Sequence, residues 1–182
     1  QGPTMKNWPS LPLTLVLASL LCAPVAHAQQ KLVAAQSEVG FISKQMGVPL
    51  DGRFKRFDAQ IAFDPKKPEA STIAFTVDIA SATLGNPEVD SELPKATWFN
   101  TAKFPQATFQ STAVKASGAG KLDVSGKLTV KGQVRDVVVP VTLVQSGANT
   151  TASGTFAIKR LAFKVGENEW ADTSMVADDV QV

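Results

Sequence analysis

The sequence predicts an all-β fold: about eight antiparallel strands and one long, partly helical connection. Three observations carry this. Apolar and polar residues alternate with period two along most of the chain, as half-buried strands require. Gly-, Asn- and Pro-bearing turns such as "KASGAG" and "QSGANT" recur at steady intervals. Between Ser81 and Phe104 the alternation stops, and this is the only long break.

Taken in chain order, the first residues are not read as part of that fold. Residues 1–4 read as an expression scar. Residues 5–28 read as a secretory signal peptide, with Lys6 as the positive start, an apolar run, and Ala26-His27-Ala28 as the small-x-small cleavage site before Gln29. A membrane anchor is the competing reading, but Pro12 and Pro24 interrupt the run, and it falls short of the ~20 residues a spanning helix needs. A lipidated cysteine needs a small residue before it, whereas Leu21 precedes Cys22. The expected location is therefore the periplasm or the secreted space, and residues 29–182 form the expected domain.

Loss of the leader removes Cys22 and His27, the only cysteine and histidine of a chain that has no tyrosine. Without Lys6, Lys and Arg fall from 18 to 17 against 16 Asp and Glu. A nearly neutral domain lacks the clustered basic surface that nucleic acid requires. An exported domain with no disulfide must be held by its core alone.

The clearest strand puts Phe57, Ala59, Ile61 and Phe63 on one face and Asp58, Gln60 and Ala62 on the other. The next repeats it with Ile73, Phe75, Val77 and Ile79. "DPKKPEAS" between them is a polar turn, so the two are expected to form a hairpin. The pattern recurs at Val39-Phe41, Ala107-Phe109, Leu122-Val130, Val137-Leu143, Phe156-Ile158 and Val180-Val182. In the break, Asp90 is placed to cap a short helical turn and Pro94 to open a second. A long connection in a compact domain is usually functional or disordered, and Trp98, Phe99 and Phe104 argue against disorder. One apolar face on every strand fits a sandwich or a closed barrel, and only closure abolishes the edges. An eight-stranded barrel is either filled with side chains or hollowed for one ligand.

The segments "MGVPLDGRFKRFDAQIAFDP", "VDIASATLGN", "WFNTAKFPQATFQST", "GKLTVKGQVRDVVVPVTL" and "AIKRLAF" follow one another in this chain. In that order they resemble the YceI-like family, over roughly Gln36 to Val182. The resemblance implies an eight-stranded lipocalin-like β-barrel, usually exported to the periplasm, with a polyisoprenoid or similar lipid in its central channel. It implies no catalytic residues, and lipid carriage, stress response or sequestration of hydrophobic compounds as roles; a broad scavenger of hydrophobic compounds, antibiotics included, is the alternative function. Two positions depart from it: Gln45-Met46 stands where many members have His-Met, and Val89-Asp90 where many have Arg-Asp. Each change removes a cationic or titratable group, which points to a less anionic head group.

Other chemistries find little support. A Ser or Cys nucleophile normally needs a positioned base, most often histidine. Asp51, Asp58, Asp64 and Asp78 are the carboxylates available for pairing, and Asp58 and Asp78 fall on polar strand faces. His and Cys ligands are missing after leader removal, and no Asp-rich calcium loop is present. "GKLTVKG" lacks the Gly-Lys-Ser/Thr order of a phosphate loop, and its Gly126 and Gly132 read as a strand kink and a turn. No cofactor is expected beyond a bound lipid, and no nucleic acid or stable membrane span.

The candidate ligand-binding residues are Phe41, Phe57, Ile61, Phe63, Phe75, Val77, Phe109, Phe156 and Ile158 along the strands, with Trp98, Phe99 and Phe104 on the connection, and Arg160. As ordinary core they would fill the barrel of a packed structural domain; with the family resemblance they line a channel. Trp98, Phe99 and Phe104 either plug one end or form its apolar mouth, and the mouth is the expectation. Arg160, on a strand face shared with Phe156 and Ile158, either pairs with Asp78 or Asp90 or meets a ligand head group. Each buried methylene contributes roughly 0.8 kcal/mol, so a chain of several isoprene units reaches useful affinity without polar contacts.

Overall fold

The computed structural model describes residues 29–182; the expected leader and the residues before it lie outside the described residues. The fold is all-β and lipocalin-like, a curled antiparallel sheet with almost no helix. In chain order its strands are β1 (Gln29–Gln30), β2 (Val39–Gln45), β3 (Val48–Phe54), β4 (Phe57–Ala62), β5 (Thr72–Asp78) and β6 (Ala82–Thr83). After helix α1 (Pro87–Glu92) come β7 (Gln106–Gly118), β8 (Lys121–Val130), β9 (Gln133–Ser146), β10 (Asn149–Gly154), β11 (Ala157–Lys159) and β12 (Asp179–Gln181). One sheet runs β1-β4-β5-β7-β8-β9-β10 and the other β11-β12-β2-β3-β6. The chain changes sheet at β1–β2, at β3–β4, on either side of β6, and at β10–β11.

The expected hairpin of the two clearest strands is present as β4 and β5, with Phe57 opposite Val77 and Ile61 opposite Ile73. The described chain has twelve strands where about eight are expected, and four escaped the alternation signal: the two-residue β1 and β6, and the longer β3 and β10. β3 contains Pro49 and Gly52, both of which argue against a strand, and β10, "NTTASG", has no large side chain and is exposed throughout. Gly52 is required there because it sits under the ring of Phe41: a Cβ would lie 2.2 Å from Phe41 Cζ.

Gly126 does the same in the other sheet. A Cβ on it would meet the Phe109 ring and the Gln110 carbonyl at 2.5 Å. It is a seat for an inward ring beside the β7 irregularity between Ser111 and Ala113, more than the simple kink its sequence suggests. At Lys131–Gly132, φ is positive at both residues, the conformation of the tight β8–β9 hairpin.

In the long connection, Asn86 caps α1 by accepting from the Glu88 N–H, and Pro87 opens it. Asp90 is therefore not the cap. Its carboxylate accepts from the Thr83 hydroxyl and the Leu84 N–H, tying α1 to β6. Pro94 starts no helix; turns follow, ending where the Phe104 N–H donates to Asn100 O at 2.8 Å.

Fully packed apolar residues form two clusters. One is Ile79, Ala107, Val130, Phe163 and Val165, and the other Val114, Leu122 and Val124. Of the aromatic residues in the described chain, only Phe163 is buried. The remaining rings stay half-exposed, although all of them but Phe104 face inward.

Candidate functional site

Those rings are half-exposed because they border a void. Between the sheets lies a cavity of about 1950 Å³. β4 contributes Phe57 and Ile61 with Phe63 just beyond it, β5 contributes Phe75 and Val77, β7 Phe109, and β2 Phe41. Phe156 and Ile158 enter it from beside and within β11. The alternation explains this: inward residues of neighbouring strands fall on one concave face, and the curled sheet encloses a space wider than the facing side chains fill.

The cavity has a closed floor. Ala107, Val130, Phe163, Val165 and Val176 are buried and border it. Trp98 and Phe99 pack on this cluster and line the cavity beside it. The Trp98 ring lies 5.6 Å from that of Trp170, and Phe54 links Phe99 (6.4 Å) to Phe41 (5.3 Å). Trp98 and Phe99 thus sit at the closed end, in the plug arrangement, and not at a mouth. Phe104 leaves the cavity altogether. The turn that reverses the chain at Asn100 carries it over the β8–β9 hairpin, where a Cβ on Gly132 would come within 2.9 Å of its ring.

Arg160 borders the floor and is 3 % exposed. β11 ends at Lys159 and a 3-10 turn begins at Arg160, so the side chain leaves the strand face it was expected to share with Ile158. It pairs with neither expected aspartate: Asp78 is bound to Arg56 at 2.8 Å, and Asp90 is held at α1. Instead Nε donates to Ala177 O, Nη1 to Val165 O and Gly166 O, and Nη2 to Trp170 O and Val176 O, at 2.7–3.0 Å. A guanidinium has five N–H groups, and all five are occupied. Burial pushes its pKa down, and the nearby Asp178 carboxylate opposes that shift. With every donor bound to backbone, Arg160 has none left for a head group.

The same floor is held by Lys131, whose buried ammonium donates to Lys164 O at 2.6 Å and lies 3.7 Å from Glu167 Oε1. Burial is the main cause of its lowered pKa.

The rim is different in kind. Exposed residues of the 31–38 segment, of the β7–β8 hairpin and of β10 line the cavity away from the floor cluster, among them Lys31, Lys121 and Thr150. α1 instead lies near the floor, tied through Asp90 to Thr83 and Leu84 beside Phe54. Both positions that depart from the family pattern, Gln45 and Val89, also border the cavity. Val89 is one of the exposed large apolar residues. Among the described residues no group of three or more His, Cys, Asp or Glu is placed to hold a metal. No described helix is long and apolar enough to cross a membrane.

Sequence reasoning missed much of the floor. Trp170 and Val176 lie in a stretch with no alternation, and only the rarity of tryptophan marks the first of them. Phe54 was hidden by the unrecognised β3.

The description "YceI-like domain" matches residues 30–182. The chain belongs to the YceI-like family. It is 34% identical over 137 residues to a UPF0312 protein of Ectopseudomonas mendocina (strain ymp), covering 73% of this chain and 72% of that one. The crystal structure of Burkholderia cenocepacia BcnA is similar at 47% identity and a TM-score of 0.80, covering 81% of this chain and 93% of BcnA. A polyisoprenoid binding domain from Saccharophagus degradans, implicated in plant cell wall breakdown, aligns at a TM-score of 0.60 over 79% of this chain and 88% of that domain. At 14% identity this last likeness shows the shared YceI-like fold alone.

Proposed function

We propose that this YceI-like chain is an exported binding protein, not an enzyme, that holds a polyisoprenoid or similar long apolar chain for carriage or sequestration. The observation that carries the reading is the 1950 Å³ cavity walled by phenylalanine and aliphatic side chains that remain half-exposed. A void that large forfeits the contacts its lining would otherwise make, and a long apolar ligand restores them. The polyisoprenoid named for the Saccharophagus domain is consistent with this ligand class.

The head group is neutral or weakly polar in this reading. Arg160, the one inward guanidinium, is saturated by carbonyls, and Gln45 and Val89 bring no charge to the lining. A broader scavenger of hydrophobic compounds, antibiotics included, is the second reading. It is favoured by the volume, which exceeds the ~300–1,000 Å³ of typical ligand pockets, and by the non-directional nature of apolar contact.

Titration of delipidated protein with free isoprenols, isoprenyl phosphates and fatty acids, followed by tryptophan fluorescence, tests the reading. Saturable binding of isoprenol, at least as tight as its phosphate, is the expected outcome. A strong preference for the phosphate removes the head-group proposal. No saturable response to any long apolar ligand removes the function.

A further inference from the structure

The cavity floor is built by a segment that has almost no regular structure. Between the 3-10 turn Arg160–Phe163 and β12, the chain makes one further 3-10 turn, Asn168–Ala171, and an isolated antiparallel bridge from Val176 to Gln45, with turns and loops elsewhere. Its carbonyls at Val165, Gly166, Trp170, Val176 and Ala177 all converge on one guanidinium. Trp170 projects from this segment into the cavity and meets Trp98 from the long connection. Gly166 lies between the two systems: a Cβ there would come within 2.5 Å of Arg160 Nη1 and 2.9 Å of Trp98 Cζ3. The Gly166 and Glu167 N–H groups both donate to Thr97 O at 2.9 Å, fixing the segment to the residue before Trp98. Beside the indoles, Ala107, Val130, Phe163 and Val165 are buried and border the cavity as well, and Trp98 packs on them.

A chain entering from the rim therefore meets a rigid wall. β8 runs from Lys121 at the rim to Val130 at the floor, and ten residues at ~3.4 Å each place the wall about 30 Å in. We propose that Trp98 and Trp170 form a depth stop that sets the longest chain the cavity accepts, and that Arg160 is the positioning residue that holds the stop in place. The inference rests on the proposed binding of a long apolar chain and adds the residues that select its length. Indoles suit the role because they are large, rigid and lose little side-chain entropy. Arg160 suits its role because only a planar fork of five donors satisfies five converging carbonyls.

The test is a binding series of all-trans isoprenols of rising length, from farnesol to decaprenol. It compares the unaltered protein with Trp98→Ala/Trp170→Ala, the milder Trp98→Phe/Trp170→Phe, and Arg160→Lys. Native mass spectrometry reads occupancy, and circular dichroism confirms folding. The unaltered protein should show a length beyond which affinity falls. In the alanine pair that limit should move to longer chains, with affinity for the first excluded chain rising about tenfold, the worth of roughly two further buried methylenes. The phenylalanine pair should move it less, and remains informative if the alanine pair does not fold. Arg160→Lys should blur the limit, with the fall in affinity beyond it spread over several chain lengths. A limit unmoved in folded tryptophan variants overturns the stop, and a sharp limit in Arg160→Lys overturns the role of Arg160. If no isoprenol binds the unaltered protein, the function beneath the inference fails instead.

Discussion

The floor and the rim of the cavity are built from the same chain by opposite means. At the floor, Phe163, Val165 and Val176 are packed out of solvent, and polar groups that reach it are saturated, as Arg160 is by five carbonyls. At the rim, β10 exposes every residue and has no large side chain, and the 31–38 segment crosses with a single short turn. The floor is closely packed and hydrogen-bonded, and a second buried cluster of Val114, Leu122 and Val124 steadies the β7–β8 wall. β10 and the 31–38 segment are the exposed parts of the lining, the pattern expected where a ligand must pass. Between the two, the aromatic walls belong to neither class: they are apolar and inward, yet unfilled.

The comparison breaks most severely if the floor is attacked. Arg160→Ala leaves five acceptors without their donor, and a buried unsatisfied group costs ~1–3 kcal/mol. A loss on the order of 4 kcal/mol or more is expected in urea unfolding, with little change from rim substitutions such as Thr150→Ala, which should stay within about 0.5 kcal/mol.

Gly126→Ala attacks the wall from behind, since its Cβ collides with the Phe109 ring and the Gln110 carbonyl at 2.5 Å. Overpacking of this kind costs about 1–3 kcal/mol, and a matching drop in thermal midpoint should be seen.

Phe75→Ala sharpens the contrast between a packed core and an unfilled wall. In a close-packed core Phe→Ala costs ~3–5 kcal/mol. Here one face of the ring already borders the void, so a loss of about 1–2 kcal/mol is expected in delipidated protein, and a larger one when lipid is bound. A full core penalty in the empty protein would show that the walls collapse on each other.

The smallest effect is expected at α1. The Leu84 N–H and the Thr83 hydroxyl hold the Asp90 carboxyl below its ordinary value. A depressed folded pKa means that the unfolded chain binds the proton more readily. The contribution is therefore present above the ordinary carboxylate value and lost as pH falls through the folded one. Asp90→Asn should flatten the acid limb of the stability profile and be less stable than the unaltered protein above the ordinary carboxylate range, by an amount that does not change with pH there.

How legible this was depends on what each region is made of. The walls announced themselves, because Phe57, Ile61, Phe63, Phe75 and Val77 alternate with polar residues and any sheet puts them on one face. The floor did not. Trp170 and Val176 reach it through an irregular segment whose path is set by Arg160 and its carbonyl partners, contacts that no local periodicity encodes. Arg160 itself was misread because the strand before it ends one residue earlier than the alternation suggests. Phe104 was misread because Asn100, at φ +50, turns the chain away from the cavity. β10 was invisible, since a strand of small polar residues at a sheet edge has no apolar face to reveal it. The expectation that less charge implies a less anionic ligand stays with the proposal.

The most direct test of the central claim is the mass of the protein as it is first purified. Native mass spectrometry before and after organic extraction should show a mass excess that extraction removes, with an isoprenoid or another long apolar molecule in the extract. Equal masses before and after, together with no uptake of added isoprenols or fatty acids by the extracted and refolded protein, would contradict it.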